Sequence, residues 1–232
     1  MKRSTATEHI QPTPILNSKH PLLMRFTQEL RAEHPTDDRT FLQMTHQRLS
    51  ECLSPIYTLR ERQPASTTFA RGCGSCSQRM AVLEAVARSA GIGTRSHALW
   101  INGQFWSLRF QRLHCVLPQR VLLAWPEFFL DDRWVDFAEL YGSLPQLAER
   151  DHHGFTNATD ETLFEAVSRT AVDWHGHTNC SPTGVSCDLS GFVIADDGIF
   201  PSRDAVFDQY GLFLHQPGGC LFELIFGGRK AA

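Results

Sequence analysis

Apolar positions along the chain change period near residue 91, which divides the sequence into a helical front and a β-rich back. Ahead of that point Leu22, Leu23, Phe26 and Leu30 recur at helical spacing and predict a helix over 22–32. A second periodic stretch, 39–53, follows Pro35-Thr36-Asp37-Asp38, a run that supplies turn and N-cap chemistry. From 77 to 90 most faces carry apolar or small residues (Met80, Ala81, Val82, Leu83, Ala85, Val86, Ala87). That helix is predicted to run through an interior, with Gly91 ending it.

Beyond Gly91 apolar and polar residues alternate. The segments 96–101 and 104–110 flank Asn102-Gly103, a strong two-residue turn signal, and predict a hairpin. Segments 120–130 and 133–137, joined at Asp131-Asp132, predict a second one. Stretches 63–71 and 180–192 read as loops, 161–170 (after Thr159) and 205–210 as short helices, and 221–226 as a brief strand. Residues 1–16, with Pro12 and Pro14, are expected to form a flexible arm, and 17–232 a single domain.

The chain's 232 residues, 42% apolar and 10% aromatic, suffice for one substantial core. A net charge of −3 offers no field that would gather nucleic acid or an anionic membrane, so neither is expected as a partner. With no apolar run long enough to span a bilayer and no secretory signal, the expectation is a soluble, cytoplasmic protein. Seven cysteines (Cys52, Cys73, Cys76, Cys115, Cys180, Cys187, Cys220) form an odd set, which argues for free thiols or ligands over a disulfide framework.

Candidate chemistry centres on Gly72-Cys73-Gly74-Ser75-Cys76-Ser77. Cys76 stands where the interior helix begins, and the free N–H groups and positive end of a helix dipole favour a thiolate there. Ser75, Ser77 and Gly74 leave room for a substrate. Cys73 and Cys76 also form a C-x-x-C, the pattern of a redox dithiol or half a zinc site.

The pattern Gly74-x-Cys76, an apolar helix, Arg88, then Gly91-Ile92 and Arg95 resembles the core of the bacterial transglutaminase-like superfamily. Gly93 and Thr94 replace the usual Pro-Ala. His20-Pro21, Ala65-Ser66-Thr67 and Ala70-Arg71-Gly72 also follow that family's approach to its cysteine. Residues 124–135, Ala-Trp-Pro-Glu-Phe-Phe-Leu-Asp-Asp-Arg-Trp-Val, are similar to its strand pair, and Asp173-Trp174-His175-Gly176 to a stretch of some members. The resemblance implies an α+β fold, a transglutaminase-like (papain-like) core with helices ahead of the nucleophile helix and an antiparallel sheet behind it. It also implies a cysteine that forms an acyl-thioester and passes the acyl group to an amine or to water.

The same comparison places Leu123 where the family carries its catalytic histidine and Ala138 where it carries the acidic partner. A leucine accepts no proton, so that relay is not copied here. His97, on the first strand, is the nearest substitute base, and His114 the second choice because it keeps the order Cys-then-His. Glu127 and Asp136 are candidates to orient such an imidazole, with a solvated strand-end acid as the plain reading of Asp136. Cys73, Ser75, Ser77, Arg95, Trp125 and Glu127 are the candidate substrate contacts. For Arg95 a structural ion pair, and for Trp125 and Trp134 sheet packing, are the plainer readings.

A second cluster, His175, His177, Cys180 and Cys187 with His152 and His153 nearby, has ligand types suited to zinc but lacks the paired spacing of a zinc ribbon. No cofactor is expected, with zinc as the alternative. The sequence therefore supports a divergent cysteine-dependent acyl-transfer or amide-bond enzyme acting on a small or carrier-protein-bound substrate. The competing readings are an inactive binding or scaffold module, supported by Leu123 and Ala138, and a metal-binding protein.

Overall fold

The computed structural model describes residues 8–110, 117–151, 153–158, 160–178, 188–215 and 217–231. Helix α1 (Pro21–Arg31) opens on a proline, whose fixed φ suits the first helical position. The His20 ring caps it by accepting from Leu22 N at 3.3 Å. It buries Leu23, Phe26, Thr27 and Leu30. Asp37 caps α2 (Asp38–Cys52), accepting from Thr40 N at 2.7 Å, and Phe41, Leu42, His46 and Leu49 turn inward. Both helices lie within a residue of their predicted bounds.

Strand β1 (Ser54–Pro55) pairs in parallel with β2 (Cys73–Gly74), and α3 (Ala65–Arg71) lies between them in the chain. The expected loop at 63–71 is thus largely helical. Pro64 stands just ahead of its first turn, and Gly72, at φ +64°, ends it in the left-handed region that glycine enters at least cost. Strand β2 delivers the chain to Ser75, whose side chain and that of Gln78 form a capping box on α4 (Cys76–Ser89).

Every residue of α4 from Gln78 to Arg88 is buried, as its apolar pattern predicted. The helix packs on α1, α2 and α3 and on the sheet. Its charged side chains find partners inside the fold. Glu84 meets Arg203 at 2.5 Å, Arg79 pairs with Glu165, and Arg88 donates to the carbonyls of Gln11, Thr94 and Pro201.

The sheet consists of β3 (Thr94–Asn102), β4 (Arg120–Leu130), β5 (Arg133–Asp136) and β6 (Val193–Phe200). Its order is β5-β4-β3-β6, antiparallel throughout. Asp131 and Asp132, at φ +51° and +61°, make the predicted tight turn between β4 and β5. The first predicted hairpin does not form. Asn102 instead caps a 3₁₀ turn, Gly103–Trp106, accepting from Gln104 N at 3.0 Å, and Phe105 drops into the core. A Cβ at Gly103 would fall 1.8 Å from Pro118 O, so this crossing requires glycine. Strand β3 therefore pairs with β4 and, along its other edge, with β6.

Helices α5 (Leu144–Arg150), α6 (Leu163–Ala166), α7 (Arg203–Tyr210) and α8 (Pro217–Phe226) complete the fold. The expected strand at 221–226 is the second half of α8. Phe222 and Phe226, four residues apart, stack on each other and on Phe110. The helix predicted over 161–170 shrinks to α6, and Thr159 lies outside the described residues. Residues 8–16 are anchored where a flexible arm was expected. Ile15 and Leu16 are fully buried, and Asp204 accepts from Thr13 Oγ1 at 2.5 Å and from Ile15 N at 2.9 Å.

Candidate active site

Cys76 is the first residue of α4, half-buried and packed against the main core, with a free thiol. An α-helix leaves its first amides without internal acceptors. Here Gln78 N donates to Ser75 Oγ at 3.2 Å and Arg79 N to Ser75 O at 2.9 Å. Cys76 and Ser77, with Ser75, face a cavity of about 160 Å³, close to the ~150 Å³ that holds a benzene-sized guest in a protein core. Its walls are mainly apolar and aromatic, with Phe105, Trp106, Phe110, Leu163 and Phe222 prominent.

Leu123 lines this cavity with Cys76 and is only 8% exposed. Ala138 is buried as well. Two residues earlier Asp136 is half-buried. Burial pushes its carboxyl up to about 6, although Trp125 Nε1 (2.8 Å) and Ala138 N (2.7 Å) both donate to it. The solvated strand-end acid is therefore an internal acceptor for Trp125.

His97 is placed elsewhere. Thr94 and Ser96 bond to Arg88 and Glu84 of α4, so by strand alternation Arg95 and His97 turn to the other side of β3. There His97 sits 3.6 Å from Glu127 and 3.4 Å from Asp196, and Arg95 pairs with Glu127 while stacking over Trp134. Hydrogen bonding to Glu127 holds the His97 imidazole above its ordinary range against the opposing effect of burial. His97, Arg95 and Glu127 form a network of their own and do not line the Cys76 cavity. Trp125 is 1% exposed and packs on Phe137 and Trp174, so it too is a core residue and no wall of the cavity.

His114, Cys115, Cys180, Cys187 and His152 lie outside the described residues. His175 and His177 are exposed, their rings 5.7 Å apart, and His175 is 6.5 Å from the His97 ring. Among the described residues no group of three or more histidine, cysteine or acidic side chains is placed to hold a metal. Cys73 is half-buried on β2 with a free thiol.

Two cavity residues escaped the sequence reading. Arg109 donates to Asn157 Oδ1 at 2.5 Å, to Ala231 O at 2.6 Å and to Glu161 O. Glu61 lines the cavity at the loop after β1, near Ser77, its Oε2 buried without a hydrogen-bond partner. Neither Arg60-Glu61-Arg62 nor Leu108-Arg109-Phe110 carries a spacing or periodicity that distinguishes them in the sequence.

An interior helix that begins on a cysteine, backed by an antiparallel sheet whose second strand faces that cysteine, defines a papain-like α+β core. Residues 26–138 match the family model of the Transglutaminase-like superfamily. The matched segment, just under half of the chain, holds Cys76, Leu123 and Ala138. No curated protein and no solved structure matches the chain.

Proposed function

We propose that the protein is a divergent cysteine-dependent acyl-transfer enzyme with Cys76 as nucleophile. The observation that carries this reading is Cys76 at the first position of a buried helix, opening on a cavity large enough for a small acyl group. Cys76 Sγ attacks an acyl carbon as its thiol gives up its proton, the S–C bond forms, the bond from the acyl carbon to the amine or thiol breaks, and that group leaves carrying the proton. Amides of the first turn of α4 stabilise the oxyanion, and water or an amine then takes the acyl group. The cavity's size suits a small or carrier-bound acyl donor. Four free cysteines among the described residues suit a reducing compartment such as the cytoplasm. Among the described residues no helix is long and apolar enough to cross a membrane.

A second reading, a binding module built on the same core, is favoured by Leu123 and Ala138, which cannot relay a proton. Incubation of the full chain with p-nitrophenyl acetate and with short acyl thioesters separates the two. An acyl adduct mapped to Cys76 by mass spectrometry, lost in Cys76→Ala, is the expected result. A folded wild-type protein that forms no adduct, yet binds apolar ligands equally well with and without the thiol, would establish the binding module instead.

A further inference from the structure

We propose that Glu61 fills the proton-transfer role left open at Leu123: its carboxylate receives the Cys76 proton as Sγ attacks the acyl carbon, then returns it to the leaving group. The proposal rests on the acyl-transfer reading of Cys76. The proton is conserved through the step. The S–H bond breaks, S–C forms, the bond from the acyl carbon to the leaving amine, alcohol or thiol breaks, and that group departs protonated.

The argument begins with what lines the cavity. Besides the thiol, the ionisable side chains among the described lining residues are Tyr57, Glu61 and Arg109. Arg109 stays cationic and its guanidinium is engaged by three oxygens, so it accepts nothing. Tyr57 presents a phenolic hydroxyl, a donor in place of a ready proton acceptor. Glu61 is left as the group able to take a proton near neutral pH.

Its placement is built from the nucleophile helix itself. Gln78, which closes the capping box with Ser75, also donates through Nε2 to Arg60 O at 3.0 Å, so the loop carrying Glu61 is tied to the first turn of α4. Ser77, next to Cys76, lies against the Glu61 carboxylate and is itself held by Arg203, at 3.1 Å to Oγ and 2.9 Å to the carbonyl. From the other side Glu223 of α8 fixes the loop by accepting from Leu59 N at 2.7 Å and Thr58 Oγ1 at 2.9 Å. The loop is thereby positioned, while Glu61 Oε2 is buried with no donor from the protein. A buried acceptor without a donor is costly, and a thiol or a substrate N–H in the cavity is the donor that would satisfy it.

Burial pushes the Glu61 carboxyl above the ordinary range and Glu223 adds to that, while Ser77 and Arg203 oppose it. The direction is the one that lets a carboxylic acid both accept and return a proton near neutrality. The charged groups facing Glu61 are thus Arg203 from α7 and Glu223 from α8.

The test uses the full chain with p-nitrophenyl acetate, following the p-nitrophenolate burst, and iodoacetamide alkylation of Cys76 at pH 9 as a check on the thiol alone. Glu61→Gln should slow the burst by about 100-fold or more, the scale of general-base catalysis, with alkylation unchanged or faster once the neighbouring negative charge is gone. In Glu61→Ala, added formate should restore a measurable part of the burst, which a merely structural role would not permit. Glu61→Asp keeps the charge and covers the case in which neutral variants fail to fold: it should fold and show a slowed burst. A Glu61→Gln or Glu61→Asp burst as fast as that of the wild type, or a slowed Glu61→Ala burst that formate leaves unchanged, would overturn the role of Glu61 while leaving Cys76 as nucleophile. A wild-type protein that is alkylated at Cys76 but shows no burst would overturn the acyl-transfer reading and this proposal with it.

Discussion

Arg203 and Glu84 are both fully buried, and the start of the nucleophile helix hangs on them. Arg203 donates to Glu84 Oε1 through Nε at 2.9 Å and Nη2 at 2.5 Å, and through Nη1 to Ser77. Arg203→Ala removes the cation and leaves Glu84 as a carboxylate with no compensating charge at that position. Breaking one side of a buried pair costs about 3–5 kcal/mol. For a chain of this length each kcal/mol moves the midpoint by roughly 2–4 °C, so the expected fall in Tm is about 6–20 °C. The double variant Glu84→Gln/Arg203→Met, which removes both charges at similar volume, should regain most of it.

The pH dependence of that loss has a definite sign. Burial already holds the Glu84 carboxyl above its ordinary range, and loss of Arg203 raises it further. A carboxyl raised in the folded state stabilises fully below its unfolded value and loses that contribution as pH rises through the folded one. The deficit of Arg203→Ala should therefore be largest at pH 7 to 8 and shrink as pH falls toward 5. Urea unfolding of the single and double variants at pH 5 and 7.5 reads all of this. A deficit under about 1 kcal/mol, far below the buried-pair range, or one that is equal at the two pH values, would refute the assignment of Glu84 as a charge dependent on Arg203.

Three further outcomes are expected. Leu123→His returns an imidazole to the cavity wall and should speed acylation of Cys76 by about tenfold or more, on the scale of general-base catalysis, at the cost of some stability; an unchanged burst would show that the position does not reach Sγ. His46, enclosed by α2 and α6 with Phe164 O at 2.6 Å and Tyr141 Oη at 2.9 Å, has its imidazole pushed down to about 4 by burial. Its folded state resists protonation, so stability should fall as pH drops from about 6.5 to 4, and urea unfolding of His46→Gln should have a flatter profile there; equal slopes would count against it. Glu223→Ala frees α8, whose Phe222 covers the cavity, from Thr58 and Leu59, and should raise the rate of Cys76 alkylation several-fold with little change in Tm, whereas an unaltered rate would mean that α8 does not gate the thiol.

Much of the frame can be read directly from local sequence. Helices α1, α2 and α4 carry their caps and apolar faces within consecutive residues, His20-Pro21, Asp37 and Ser75…Gln78, and the turn at Asp131-Asp132 is equally local. Helix α3 was hidden because its polar surface and Pro64 resemble a loop, and α8 because Gly218-Gly219 and a run of apolar residues suggest a strand. Strand β6, with Asp196-Asp197-Gly198 inside it, exists because β3 offers it an edge.

The sequence alone determined that a cysteine begins a buried helix, since an apolar run on most faces behind Cys76 suffices for it. Only the tertiary structure decided which ionisable side chains share a cavity with that cysteine. His97 looked eligible by chain order, yet alternation along β3 turns it toward Glu127 and Asp196, while Glu61 stands on a loop with no readable pattern that Gln78 and Glu223 tie down beside the cavity. Proximity of that kind arises from contacts between segments far apart in the chain, and no local pattern of hydrophobic and polar residues encodes it.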